Sequence, residues 1–176
     1  MELTPSQTVG PFFHICWSSE RAFLRDADTA GEPITLHFRV TDGRGAPVSD
    51  ALIEIWQADA GGAYNRPGFP NFGRACTNQG GSCTFETIRP GLVPGEGGGL
   101  QAPHVNVNLF ARGLLKQLVT RIYFSGNAAN CDDPVLKSVP EDRRGTLLAQ
   151  PRPNAPSEWD FEIRLASECE TVFFDV

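Results

Sequence analysis

The strongest constraint on this chain's fold is a period-two pattern that recurs along most of its length. In Ile34-Thr35-Leu36-His37-Phe38-Arg39-Val40 every second residue is apolar. Successive side chains of a strand point to opposite faces, so Ile34, Leu36, Phe38 and Val40 share one buried face. Leu52 to Gln57, Ser82 to Ile88, His104 to Phe110 and Val119 to Phe124 read as further strands. Trp159, Phe161, Ile163 and Leu165 alternate against Asp160, Glu162 and Arg164, and Thr171 to Phe174 closes the series. Turn residues separate the runs, as in Asp42-Gly43-Arg44-Gly45. Short strands punctuated in this way predict an all-β fold, a β-sandwich of antiparallel or mixed sheets. Helix is scarce. Asp133 followed by Pro134 predicts one short helix with Asp133 as its N-cap, and Pro140 to Ala149 a second.

Two segments lie outside this pattern. Thr4 to Pro11 reads as an extended arm, because a residue before proline avoids the α region. Pro90 to Pro103 holds five glycines and three prolines and reads as a long loop. Long loops in compact domains are more often functional than idle. The 176 residues suit one domain, 1–176, with an N-terminal arm over about 1–13. The net charge of −6 and the scarcity of lysine, present only at Lys116 and Lys137, exclude a basic nucleic-acid surface. The N-terminus shows no basic-then-apolar leader, and no apolar run approaches membrane-spanning length, so a cytoplasmic protein is expected. Five cysteines, none spaced C-x-x-C, argue against a zinc cluster. Cys76 and Cys83 flank an expected turn, where a disulfide is geometrically open to them.

With three histidines and two tyrosines, the search for chemistry is short. No nucleophile elbow or phosphate loop is present. His14 and His37 fit structural roles. His104 opens a strand at the end of the glycine-rich loop, and Asn106 follows on the same strand face. A second histidine at Asn106 would complete a pair for a metal, but an amide is a poor transition-metal ligand.

Seven segments carry a resemblance to a known family. They are Thr4 to Pro11, Glu54 to Ala60, Asn71 to Arg74, Ala102 to Asn106, Leu109 to Gly113, Thr120 to Phe124 and Glu170 to Asp175. In that order, and over nearly the whole chain, the sequence resembles the α chains of the protocatechuate 3,4-dioxygenases, members of the intradiol dioxygenase family. Its Gly61–Pro70 segment is shorter than the family's.

The resemblance implies a heteromeric, iron-dependent oxidoreductase of aromatic catabolism, in the β-ketoadipate pathway. Such an enzyme opens protocatechuate with O2 between its hydroxyl-bearing carbons, giving 3-carboxy-cis,cis-muconate. It implies that a homologous β subunit holds Fe(3+) with two tyrosines and two histidines. In this sequence those positions fall on Tyr64, Val93, His104 and Asn106, and the β chain's active-site arginine falls on Gln101. Two of the four ligands are therefore lost, and this chain is expected to bind no metal and to be inactive alone. The resemblance further implies that Arg112 and the arm residues Thr8, Gly10 and Pro11 line the β subunit's substrate pocket. An arginine there suits an anionic substrate, since a guanidinium grips a carboxylate through paired hydrogen bonds. Two other readings stay open: a non-catalytic β-sandwich binding module, and a homomeric enzyme using another metal at a new site.

Overall fold

The computed structural model describes residues 8–10, 21–65, 67–95 and 98–175. The alternating runs form the expected strands. β1 (Pro33–Thr41), β2 (Leu52–Gln57), β4 (Ser82–Ile88), β7 (His104–Phe110), β8 (Leu118–Phe124) and β10 (Ala155–Arg164) lie where the period-two pattern places them. Four shorter strands join them: β3 (Phe72–Cys76), β5 (Val93–Pro94), β6 (Leu100–Gln101) and β9 (Leu148–Arg152).

The main sheet runs β3-β2-β7-β8-β9-β10-β1-β4. It is mixed: β1 with β10 and β8 with β9 pair in parallel, and the rest are antiparallel. β9 joins the two layers of the sandwich, pairing Tyr123 and Phe124 of β8 on one side and β10 on the other. The apolar half of each strand fills the space between layers. Ile34, Leu36, Phe38 and Val40 are at most 1% exposed, as are Ile53, Ile55, Val105, Val107 and Leu109. Phe38 meets Phe85 and Phe161 edge-on at 5.5 and 5.9 Å. Each such ring pair adds about 0.5–1.5 kcal/mol to the area it buries.

The two ends of the sheet approach each other, and the segment 21–24 lies between them. Arg21 exchanges two main-chain hydrogen bonds with Arg74 of β3, while Leu24 N–H donates to Glu86 O and Glu86 N–H to Ala22 O on β4. β3 lacks the alternating signature because its two inward positions are the small residues Gly73 and Ala75. A Cβ at Gly73 would sit 2.6 Å from Leu24 Cδ1 and 2.9 Å from Ile55 Cγ1, so close packing excludes a side chain. β9 is similarly masked by Pro151, which reads as a strand breaker.

A second, smaller core covers the outer face of β8. Tyr123 packs there with Ala102, Leu136, Val139 and Leu147 beneath helix α1 (Pro134–Ser138). The Asp133 carboxylate caps that helix, as the sequence predicts, by accepting from Leu136 N–H. The expected second helix is corrected to a 3₁₀ segment, Glu141–Leu147, followed directly by β9. Gly145 lies within it and disfavours continued α-helix. Thr171 to Phe174 is not a full strand either. Scattered bonds to several elements hold it: Thr171 exchanges two with Arg164, Thr120 Oγ1 donates to Val172 O, Val172 N–H to Thr146 Oγ1, and Phe174 N–H to Val119 O. No helix among the described residues is long and apolar enough to cross a membrane.

Candidate functional site

The outer face of β2-β7-β8 gathers the residues singled out at one end of the sandwich. Across the strands, Trp56 lies opposite Asn106, Asn106 opposite Arg121, and His104 opposite Tyr123. His104 and Asn106 thus share a face, as their spacing predicts. Tyr64 joins them from the loop after β2, its ring stacked on Trp56 at 5.7 Å and nearly parallel.

That loop is held by contacts the sequence alone does not mark. Asp59 Oδ1 accepts from Gly61 N–H and Ala63 N–H, each at 2.9 Å. Asn71, buried and with φ at 59°, closes its far end. Its amide donates to Gln57 O at 2.8 Å, and its Oδ1 accepts from Asn65 N–H at 3.0 Å. Gly62 lies directly on the neighbouring loop, where a Cβ would come within 1.8 Å of Leu92 O. This backbone-on-backbone approach fixes the loop of Tyr64 against that of Val93, and Val93 pairs with Gln101 in the β5–β6 hairpin.

A polar chain runs through the group. Arg121 Nε donates to Asn106 Oδ1 at 3.0 Å, and Nη1 donates to Gln101 Oε1 at 2.7 Å. Nη1 also lies 3.5 Å from the Tyr123 hydroxyl. That hydroxyl donates to Asp133 Oδ1 at 2.8 Å, and Asp133 Oδ2 accepts from Ala102 N–H at 2.8 Å. His104 Nδ1–H donates to Ala102 O at 2.7 Å, which fixes its tautomer. Burial, reinforced by Arg121, lowers the His104 pKa to about 4, so its ring is neutral. Burial also raises the pKa of both tyrosines, and for Tyr64 the facing Arg121 and Asn106 act the other way.

Arg112 and Thr8 lie elsewhere. Arg112 lies two residues past the far end of β7, a strand that runs roughly 20 Å from His104 to Phe110. Its Nε pairs with the Asp50 carboxylate, and its side chain is 61% exposed. Gly113 N–H donates to Thr8 Oγ1 at 2.8 Å, which brings the arm beside Arg112. Gly10 is exposed, with open space where a Cβ would stand. Pro11 and His14 lie outside the described residues. His37 is held between Glu158 and Thr84 on the other layer.

A family model described as a dioxygenase matches residues 10–167. The protocatechuate 3,4-dioxygenase alpha chain of Pseudomonas putida is 42% identical over 192 residues, 98% of this chain and 96% of that one. The chain belongs to the intradiol dioxygenase family. A protocatechuate 3,4-dioxygenase beta chain, from Burkholderia cepacia, is 32% identical over 157 residues, 82% of this chain and 66% of that one. The solved dioxygenase domain of a dioxygenase carbohydrate-binding protein fusion from Streptomyces sp. SirexAA-E superposes with a TM-score of 0.69. It is 33% identical and covers 94% of this chain and 99% of that domain.

Intradiol dioxygenases are iron-dependent, and the residues gathered around Tyr64 and His104 do not fit ferric iron. The donors available are one phenol, one imidazole and an amide, while Val93 offers none. No cluster of three or more acidic, cysteine or histidine side chains suited to a metal occurs among the described residues. Arg121 brings a fixed positive charge to the same place. It enters the sequence only as part of the Thr120-to-Phe124 match, because its meeting with Asn106 depends on strand register.

Proposed function

We propose that this chain is the α subunit of a protocatechuate 3,4-dioxygenase and works as one intradiol-type domain in the cytoplasm. In this reading a homologous β subunit binds the iron, αβ pairs build a larger assembly, and this chain completes the β subunit's substrate pocket. Arg112 meets the carboxylate of protocatechuate, and the Thr8–Pro11 arm shapes the wall beside it.

The hydrogen bond from Gly113 N–H to Thr8 Oγ1 carries the reading, because it joins the arm to the arginine on an exposed surface. An exposed ion pair such as Arg112–Asp50 is worth about 0–1 kcal/mol, so the guanidinium is easily redirected toward a ligand. Its contact with Asp50 uses Nε, leaving both terminal nitrogens to face a carboxylate. The misfit of ferric iron at Tyr64 and His104 supports the same division of labour.

Co-expression with a β chain tests the proposal. The α chain alone should purify colourless and inactive, and the mixed complex should contain iron, absorb visible light and turn over protocatechuate. An α chain that elutes apart from β and leaves its activity unchanged would instead favour a separate binding module.

A further inference from the structure

Two missing ligands would weaken metal binding, but they do not account for what fills the place. Arg121 projects from β8 among the residues at the ligand positions. It bonds Asn106 on β7 and Gln101 on β6 and reaches the Tyr123 hydroxyl. One guanidinium therefore links β7 to the β5–β6 hairpin, the two elements that carry His104, Asn106 and Val93.

We infer that Arg121 is a built-in cation that takes over the tying role of a metal at this site. It bars metal independently of the changes at Val93 and Asn106. The inference rests on the proposal that this chain carries no iron.

The surrounding charges agree with this assignment. Asn106 and Gln101 are neutral amides that turn their oxygens toward the guanidinium. The carboxylate of Asp133 lies behind Tyr123, with both oxygens engaged by Tyr123, Ala102 and Leu136. It is thus committed elsewhere and is no ligand for an incoming ion. A trivalent ion would meet the arginine with three times the repulsion of an ordinary like-charge pair at the same distance. The arginine lost at Gln101 is thereby replaced, from a different strand, by one that closes the site.

The test restores the ligands with and without the cation. The full-length V93Y/N106H chain is compared with the same chain carrying R121Q or R121K, and iron per chain and tyrosinate–iron absorption are measured. Where the positive charge is kept, in the chain with Arg121 and in its R121K form, iron affinity should stay about 10–100-fold below that of the R121Q form. That is the size of effect that a neighbouring partner exerts on a metal site, about 10–100-fold. Equal iron in all three forms overturns the inference, and so does a folded R121Q form without iron. Iron in the unaltered chain would instead overturn the proposed function. The single variant R121Q gives a second, metal-free reading. Loss of the tie should lower the melting temperature by about 3–8 °C, and an unchanged value overturns the tying role.

Discussion

The Thr8 hydroxyl accepts the Gly113 N–H at 2.8 Å across 105 residues of sequence, and so anchors the arm one residue from Arg112. Anchor and arginine stand at the opposite end of β7 from His104. The same strand therefore carries the buried His104 at its beginning and leads to the exposed Arg112 after its end.

If Arg112 grips the substrate carboxylate, Arg112→Ala in the assembled enzyme should cost about 1.5–3 kcal/mol of substrate binding. That corresponds to a KM raised roughly 10–100-fold, with the melting temperature nearly unchanged because the pair with Asp50 is exposed. Steady-state kinetics on protocatechuate read the first effect, and a thermal melt the second. An unchanged KM and kcat would count against the role.

Acid should weaken the fold through His104. Its folded pKa of about 4 lies below the ordinary histidine value of 6.5, because burial disfavours its charged form. Below pH 6.5 the unfolded chain takes up a proton that the folded one refuses, so stability falls as the pH drops from 6.5 to about 4. The full effect is on the order of 3 kcal/mol. The difference in denaturation free energy between the natural chain and His104→Gln, followed against pH, should show this slope and flatten above pH 7.

Gly62→Ala and Gly45→Ala separate crowding from backbone strain. Both glycines have φ at 79°, but only Gly62 would drive its new Cβ into Leu92 O. Gly45→Ala should cost about 1–2 kcal/mol, the left-handed penalty alone. Gly62→Ala should cost clearly more and loosen the Tyr64–Trp56 stack, which denaturant melts and tryptophan fluorescence would report. Equal losses would show that the two loops do not press on each other.

Asp133→Ala should be the most damaging of these changes, at about 3–5 kcal/mol. It removes the cap of α1 and leaves the buried Tyr123 hydroxyl and Ala102 N–H without their acceptor. Asp133→Asn keeps an acceptor and should recover part of that loss in a denaturation experiment.

The strands that the sequence reveals are those whose two faces differ in chemistry. Ile34 to Val40 and His104 to Phe110 show their buried sides directly. β3 hides because its inward residues, Gly73 and Ala75, are small, and β9 because Pro151 reads as a break. The site is legible by the same logic in part: spacing alone puts His104 and Asn106 on one face. Arg121 is not, since its partners Asn106 and Gln101 lie on other strands and nothing local sets that register. Asn71 and Asp59 stay hidden for a related reason. Turn-forming residues are common in this chain, and only the folded loop shows which of them hold Tyr64.

The segment 21–24 lies along the outer rims of both β3 and β4 and takes up main-chain groups there that would otherwise face water. Exposed rims of a sheet invite other chains to add strands. With Arg74 and Glu86 already bonded, recruitment of a neighbour by strand addition is discouraged at both ends of the main sheet. Association with the proposed second subunit would then fall to loops and side chains, whose fit depends on shape and charge and answers to ionic strength.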